Sequence, residues 1–261
     1  MNNYNSWVDK QYVVVGAAGN LGPTWSRGLL EKGASVFGIG LNCSEDSNIH
    51  TLLSEYPDSF KIFETDITKQ LSEQLVEILL LNPVDGVVVN SGIDSIPGAG
   101  KSGITNYSFD EWVRILTINV AGVANCLNQL IPFLNKKSSV VLIGSMYGIV
   151  SPQPNLYSHY MEGKGTVKNP AYGASKAALI AMCKQYSTHL ADKGIRFNLL
   201  TPGGVAGEQD EEFVRKFNNQ VPLSRMGERE ELIPSILFLL SEDSSYITGH
   251  NLVADGGYSN W

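Results

Sequence analysis

The chain has 261 residues, of which 43% are hydrophobic, enough to bury one substantial core, and α/β folds of this length are routinely single domains. Its formal net charge of −7 comes without any basic run or aromatic-basic interleaving, which argues against nucleic acid and anionic membrane as partners. Cys43, Cys126 and Cys183 are odd in number and widely spaced, and His50, His159, His189 and His250 make no ligand pattern, so neither a disulfide framework nor a metal is expected.

Met1 to Lys10 is polar with no apolar h-region, and no stretch approaches the roughly 20 apolar residues that a membrane helix needs, so a soluble cytoplasmic protein is expected. Tyr12 to Val15 is an apolar run that leads straight into Gly16, Gly19 and Gly22, and Leu21 to Lys32 then reads as a helix. Strand, glycine turn and helix in that order are the context of a dinucleotide fingerprint. The glycines let the backbone turn tightly and approach a pyrophosphate, which would sit against the unpaired N–H groups and positive end of the helix. After Val13 to Val15, short β-rich runs follow at Ser35 to Ile39, Lys61 to Phe63, Gly86 to Val89, Val140 to Ile143, Arg196 to Leu200 and Asn251 to Val253. They alternate with longer helical segments, among them Glu111 to Asn135 and Pro170 to Ala191, a pattern that predicts a parallel, doubly wound sheet with helices on both faces. No repeat, low-complexity tract or linker divides residues 1–261, so one domain is expected.

In a helix over residues 170 to 190, Tyr172 and Lys176 stand four apart on one face, which puts an ammonium beside a phenol. A free phenol near pKa ~10 is a poor acid or base at neutral pH, and a cationic neighbour lowers it. Taken alone, such a pair is common by chance and reads more readily as an exposed helix contact. Glu208 to Asn219 reads as a further helix with Phe213 and Phe217 on one face, within a segment 203–221 that is either a lid or ordinary packing.

From Tyr12 to Tyr258 the chain resembles a single-domain short-chain dehydrogenase/reductase. The matching pieces, in the family's order, are the glycine turn, Asp66-Ile67, Asn90-Ser91-Gly92, Asn119-Val-Ala-Gly122, Ser145, Tyr172 with Lys176, Pro202-Gly203, and Ile247-Thr-Gly249 through Asp255-Gly-Gly257. The resemblance implies a seven-stranded Rossmann-type sheet of order 3-2-1-4-5-6-7 and an NAD(P)-dependent enzyme. It implies that Tyr172 moves the proton, that Ser145 hydrogen-bonds the same substrate oxygen, and that Lys176 holds the nicotinamide ribose and depresses the phenol's pKa. Asn119 would anchor a water between Lys176 and solvent; alternatively it satisfies a helix kink. The cofactor contacts it implies are Gly16, Gly19, Asn20, Leu21 and Gly22 at the pyrophosphate and Asp66 with Ile67 at the adenine. Asn90 and Gly92 follow along the adenosine ribose, and Pro202, Gly203 and Val205 lie near the ring. Asp66 reads alternatively as a helix N-cap. The family also implies a homo-oligomer, a tetramer or dimer, through helices 111–135 and 170–191 and a second contact near the carboxyl end.

Four features depart from the family pattern. Asn20 stands where glycine is usual, and Gly40, followed by Leu41 and Asn42, stands where an acidic residue usually holds the adenosine ribose. Asn42 is then the candidate ribose contact, and the absence of a cation there favours NAD over NADP. Gly207 replaces a hydroxyl residue that commonly touches the carboxamide. Finally, Ser145 and Tyr172 are separated by roughly double the family's usual interval, which makes 150–169 an insertion beside the reacting carbonyl. Its Tyr157, His159, Tyr160, Glu162, Lys164 and Lys168 would build a polar pocket for a hydroxylated or anionic substrate, or make a surface or subunit contact.

The insertion and Pro202-Gly203-Gly204 resemble the branch that includes flagellin modification protein A and related bacterial sugar oxidoreductases. The leading expectation is therefore interconversion of a secondary alcohol and a ketone on a polar small molecule, carbohydrate-derived, with NAD or NADP. Reduction of a 3-oxoacyl thioester is the enzymatic alternative, suggested by Pro222-Leu-Ser-Arg-Met-Gly227. A non-catalytic nucleotide-binding or scaffold protein is the alternative from another class.

Overall fold

The computed structural model of the chain describes residues 7–94, 104–161 and 168–261; Glu162 and Lys164 of the insertion lie outside them. Seven parallel strands form one sheet in the order β3-β2-β1-β4-β5-β6-β7. The strands are β1 (Gln11–Val15), β2 (Ser35–Gly40), β3 (Phe60–Glu64), β4 (Val84–Val89), β5 (Leu134–Ile143), β6 (Arg196–Pro202) and β7 (Asn251–Ala254). Each expected strand is present, longer by a residue or more at one or both ends. The helices are α1 (Gly22–Leu30), α2 (Ser47–Glu55), α3 (Glu73–Leu81), α4 (Phe109–Leu116), α5 (Val123–Leu130), α6 (Pro170–His189), α7 (Glu211–Asn218) and α8 (Ile233–Leu240).

Successive residues of a strand point to opposite faces, so a run such as Tyr12-Val13-Val14-Val15 must be apolar throughout if both faces are covered. Val13 and Val15 join one core with Leu75 and Leu79 of α3, Val123 and Leu127 of α5, and Leu179 and Cys183 of α6. Tyr12 and Val14 join the other, with Trp25 and Leu29 of α1, Leu52 of α2, and Ile236 and Leu239 of α8. A third, smaller cluster lies beyond the strand ends and draws Leu156 and Tyr157 of the insertion onto Phe213 and Phe217 of α7, Met226 and Tyr258. Helix starts follow their sequence signals. Asp46, Ser72, Ser108, Asn169 and Asp210 each accept a backbone N–H of the first turn, and Pro170 occupies the first position of α6, where its missing N–H costs nothing.

The expected helix from Glu111 to Asn135 needs correction. It starts at Phe109 behind a Ser108–Glu111 capping box, widens into a π-helical turn over Thr117–Gly122, and ends in a 3-10 turn at Ile131–Phe133. Pro132 has no N–H to donate back into α5, the helix tightens into the 3-10 turn there, and Leu134 and Asn135 begin β5 instead. The whole run Phe109–Phe133 spans 25 residues and is long and apolar enough to cross a membrane by length and composition, contrary to expectation. In this fold it packs against the sheet, with Ile115, Val123, Cys126, Leu127 and Leu130 buried.

The widened turn places Asn119, fully buried, against the loop that leaves β4. Its Oδ1 accepts from the Ile93 N–H at 2.8 Å, while its Nδ2 donates to the Ile93 carbonyl at 2.9 Å and to Ser175 Oγ of α6 at 2.9 Å. All three tie the widened turn to other elements, the loop after β4 and α6, and none goes to a kink in its own helix. Asn119→Ala removes the partners of Ile93, and an unsatisfied buried group costs about 1–3 kcal/mol. Urea unfolding of the Asn119→Ala variant is expected to show a loss of that size, and an unchanged midpoint would mean that the 92–94 loop is held by something else.

Candidate active site

The carboxyl ends of β1 to β6 open into one cavity of about 1230 Å³. That is where ligands bind in open α/β sheets, because the loops diverge there. At its floor the glycine turn depends on two positions. Gly16 has a left-handed φ of 79°, and a Cβ on it would stand 2.7 Å from the Ser91 nitrogen; a Cβ on Gly22 would stand 2.2 Å from the Gly16 carbonyl oxygen. The Gly16 and Ala17 N–H groups donate to the Ile39 carbonyl, at 2.7 and 2.9 Å, which ties the turn to β2. Ala18, Asn20 and Leu21 line the cavity, and among the described residues no acceptor takes their amides. Unpaired amides at the start of α1 suit a pyrophosphate, so these residues fit a dinucleotide. Asn20 needs no unusual backbone angle, since the left-handed position of this turn is Gly16.

The remaining expected cofactor residues fall into three groups. Gly16, Gly19, Asn20, Leu21, Asp66, Ile67, Asn90, Gly92, Pro202, Gly203 and Val205 all line the cavity. Gly22 and Asn119 stand behind its wall and shape it. Asn42 is placed differently: it is exposed, with a left-handed φ of 53°, and the wall at the end of β2 is made by Gly40 and Leu41. Asn90 is committed internally, accepting from Trp25 Nε1 at 2.9 Å and donating to the Gly16 carbonyl at 3.1 Å, which fastens the turn to β4. Asp66 Oδ1 accepts from the Thr68 N–H at 2.9 Å and hydroxyl at 2.8 Å, bonds that hold its carboxyl below the usual range. It caps a turn and not a helix, because α3 starts later, at Glu73 behind Ser72.

Ser145, Tyr172 and Lys176 meet in the cavity wall where β5 ends and α6 begins. Ser145 hydrogen-bonds the Tyr172 phenol, which draws that phenol's pKa down. Burial and the Asp94 carboxylate outweigh this and push it up to about 12. The Lys176 ammonium donates to the Ile143 carbonyl at 3.0 Å and lies 5.8 Å from the centre of the Tyr172 ring. Burial pulls Lys176 down to about 8, with Asp94 opposing. The expected depression of the phenol by Lys176 is therefore not the net result here: desolvation and a carboxylate dominate. At neutral pH the arrangement holds a protonated phenol and a charged amine, a proton donor with a cation behind it.

The insertion does reach the cavity. Tyr157 lines it, with its hydroxyl 2.9 Å from that of Tyr147, and Lys168 lines it beside Asp94, 2.6 Å away. His159 lies 3.0 Å from Asp210, while Lys216 of α7 donates to Ser158 Oγ at 2.9 Å, so insertion and α7 are zipped together. Phe213 and Phe217 both face the cavity and the third cluster.

Three wall or rim residues escape the sequence. Asp94 had a signal, standing two residues after Asn90-Ser91-Gly92. Tyr147, two residues after Ser145, was as close to a motif. Arg229, whose Nη1 donates to the Asn20 carbonyl at 3.2 Å, had none, because it is distant in sequence and lies in no motif.

The family model described as enoyl-(acyl carrier protein) reductase matches residues 16–259. Among relatives, 3-oxoacyl-[acyl-carrier-protein] reductase FabG of Thermotoga maritima is 28% identical over 264 residues, covering 95% of this chain and 97% of its own. Sorbose reductase SOU1 of Candida albicans is also 28% identical, over 94% of this chain and 85% of its own. Among solved structures, a short-chain dehydrogenase from Leptospira borgpetersenii with bound NAD+ superposes with a TM-score of 0.83 at 24% identity, over 99% of this chain and 96% of its own. The Pseudomonas aeruginosa RhlG/NADP active-site complex does so with 0.83 at 25% identity, over 99% and 100%. With the sheet order, the glycine turn and the Ser145, Tyr172 and Lys176 cluster already in place, the matched span makes this chain a member of the short-chain dehydrogenase/reductase family of NAD(P)-dependent oxidoreductases.

Proposed function

We propose that the chain interconverts a secondary alcohol and a ketone on a polar, sugar-derived small molecule, with Tyr172 as the proton donor and acceptor. The observation that carries this reading is the Tyr172 phenol, hydrogen-bonded by Ser145, protonated at neutral pH, and set in a cavity wall that also holds the Asp94–Lys168 pair. The amides of Ala18, Asn20 and Leu21 would hold the pyrophosphate of a nicotinamide dinucleotide, Asp66 and Ile67 the adenine, and Lys176 the ribose beside the ring. Bound there, the dinucleotide supplies or takes up the hydride. In the reducing direction Tyr172 gives its proton to the carbonyl oxygen while the Ser145 hydroxyl donates to the same atom and stabilises its developing negative charge. The phenolate that remains lies near the Lys176 ammonium. Among the described residues, the wall at the end of β2 is made by Gly40 and Leu41 and carries no cation for a 2′-phosphate, which favours NAD.

A second reading, reduction of a 3-oxoacyl thioester, is supported by the FabG relative and by the apolar Met146, Phe213, Phe217 and Met226 in the wall. The sugar reading draws support from the sorbose reductase relative and from the charged pair. A homo-oligomer is part of the proposal: Phe109, Val113 and Leu116 of α4 recur at helical spacing and are 80%, 43% and 36% exposed. Light scattering at micromolar concentration should give a dimer or tetramer, and Val113→Glu should shift it toward monomer; a monomeric parent chain removes this part.

Replacing Tyr172 with Phe should lower kcat by about 100-fold or more, with NADH affinity by fluorescence titration kept within about threefold. Full turnover in that variant sinks the proton-transfer role. The same titration with NADPH decides the cofactor, tighter NADH binding being expected. For pH, ketone reduction needs both the phenol and the Lys176 ammonium in their protonated forms. Because the lower of the two values is that of Lys176, kcat for reduction should be level below pH of about 8 and fall as pH rises through it. A profile that stays level through that point would remove the Lys176 charge from the mechanism.

A further inference from the structure

Lys168 and Asp94 come from the two loops that flank the reacting end of the cavity, and each is one residue from a fixed point. Lys168 precedes Asn169, a buried cap whose side chain accepts from the Ala171 N–H at 2.9 Å, and Pro170 then starts α6. Asp94 follows Ile93, which Asn119 grips by both its N–H and its carbonyl. The pair is therefore preorganised, with Nζ and Oδ2 2.6 Å apart and side chains only 16% and 30% exposed. The Lys168 ammonium lies 5.2 Å from the centre of the Tyr172 ring and 5.0 Å from that of Tyr147. A substrate whose carbonyl oxygen meets Tyr172 brings its neighbouring carbon toward this pair.

We propose that Asp94 and Lys168 together recognise a hydroxyl group on the carbon next to the reacting carbon, which makes the preferred substrate a neutral α-hydroxy ketone or the matching vicinal diol. This rests on the reading of Tyr172 as the group that meets the substrate oxygen. A hydroxyl both donates and accepts, so it can donate to the Asp94 carboxylate and accept from the Lys168 ammonium at once. The bonds are charge-assisted, and the two charges cancel, so a neutral ligand suits the pair better than an anion that would face Asp94. A ketone lacking the hydroxyl would desolvate the pair without replacing its water, the situation in which a polar site rejects an analogue most strongly. The apolar Met146 and Phe213 at the same end would then cover the carbon skeleton and not an extended acyl chain.

The test uses matched ketones that differ by one hydroxyl: hydroxyacetone against acetone, and 2-hydroxycyclohexanone against cyclohexanone, with the full chain and the dinucleotide that it binds. In the parent protein, kcat/KM should favour the hydroxylated member of each pair by at least about tenfold. Lys168→Met and Asp94→Ala should erase that preference, bringing the kcat/KM ratio within each pair to within about threefold of one, with dinucleotide affinity also kept within about threefold. Turnover of both members at equal rates, or equal losses on both in the variants, overturns the proposal and leaves the Tyr172 reading standing. A second measurement is calorimetric binding of trans-1,2-cyclohexanediol to the dinucleotide-loaded Tyr172→Phe protein, with and without Lys168→Met. Loss of diol binding with Lys168→Met supports the proposal even if no ketone is turned over, which would count against the Tyr172 reading alone. Equal diol affinity in both proteins, or none in either, overturns it.

Discussion

The grip of Asn119 on Ile93 and Ser175 is the contact on which the site depends. It joins three elements through one side chain: the loop after β4, the π turn between α4 and α5, and the first turns of α6. A regular α-helix through Thr117–Gly122 would rotate Asn119 away from that loop. The extra residue in the π turn is what aims it there. Gly92 must then stay small, since a Cβ on it would stand 3.3 Å from the Lys176 ammonium and 3.4 Å from Asn119 Oδ1. One buried amide thus fixes the loop that carries Gly92 and Asp94 and sets Gly92 against Lys176.

Charge in this corner is decided by burial before it is decided by pairing. Lys176 is dry enough to fall to about 8 despite a carboxylate nearby, and Tyr172 rises to about 12 despite a hydrogen bond from Ser145. The rise keeps the Tyr172 phenol protonated at neutral pH, and a Lys176 value of about 8 still leaves its ammonium mostly charged there. Asp94 acts on both groups in the same direction, and its ion pair with Lys168 limits how much of its charge they feel. The insertion, by supplying a counter-ion to Asp94 beside Tyr172, is thereby part of the electrostatics of the cavity as well as its shape.

Most of the fold was legible because both faces of each central strand are buried. Runs such as Val13 to Val15 and Val140 to Ile143 have no polar face to confuse the pattern, and Gly16 and Gly22 mark a turn that only glycine permits. Of the motif residues, Gly16, Asn90, Ser145, Tyr172, Lys176 and Pro202 line the cavity, whereas Thr248 and Gly249 bond Phe197 at the other end of β6. What escaped has a physical cause in each case. The end of α5 was misplaced because apolar periodicity continues through Ile131 and Phe133 across a proline. Asn42 was assigned to the wall from its place after β2, but the chain turns left-handed there and carries it outward. The sign of the Tyr172 shift was invisible because spacing reports the Lys176 neighbour and says nothing of desolvation or of Asp94. Arg229 on Asn20 and Lys168 on Asp94 are long-range polar contacts, which leave no periodicity at all.

The separation of labour within the molecule follows from where its third hydrophobic cluster lies. Two cores clamp the sheet and fix the strand ends, and with them the glycine turn, Ser145 and α6. The third cluster is built from the insertion, α7 and the carboxyl-terminal Tyr258, and it packs as its own unit: Phe217 stacks on Tyr258 at 5.1 Å and Phe213 stacks on Phe217 at 5.9 Å. Its polar seam of Lys216 with Ser158 and His159 with Asp210 binds insertion to α7, so the two are coupled as one cover over the reacting end. The cover meets the strand ends directly, because Met146 and Tyr147 after β5 belong to the same cluster and Tyr172 packs against it. The insertion is tolerated because it brings its own apolar anchors, Leu156 and Tyr157, and its last residues run directly into the cap of α6.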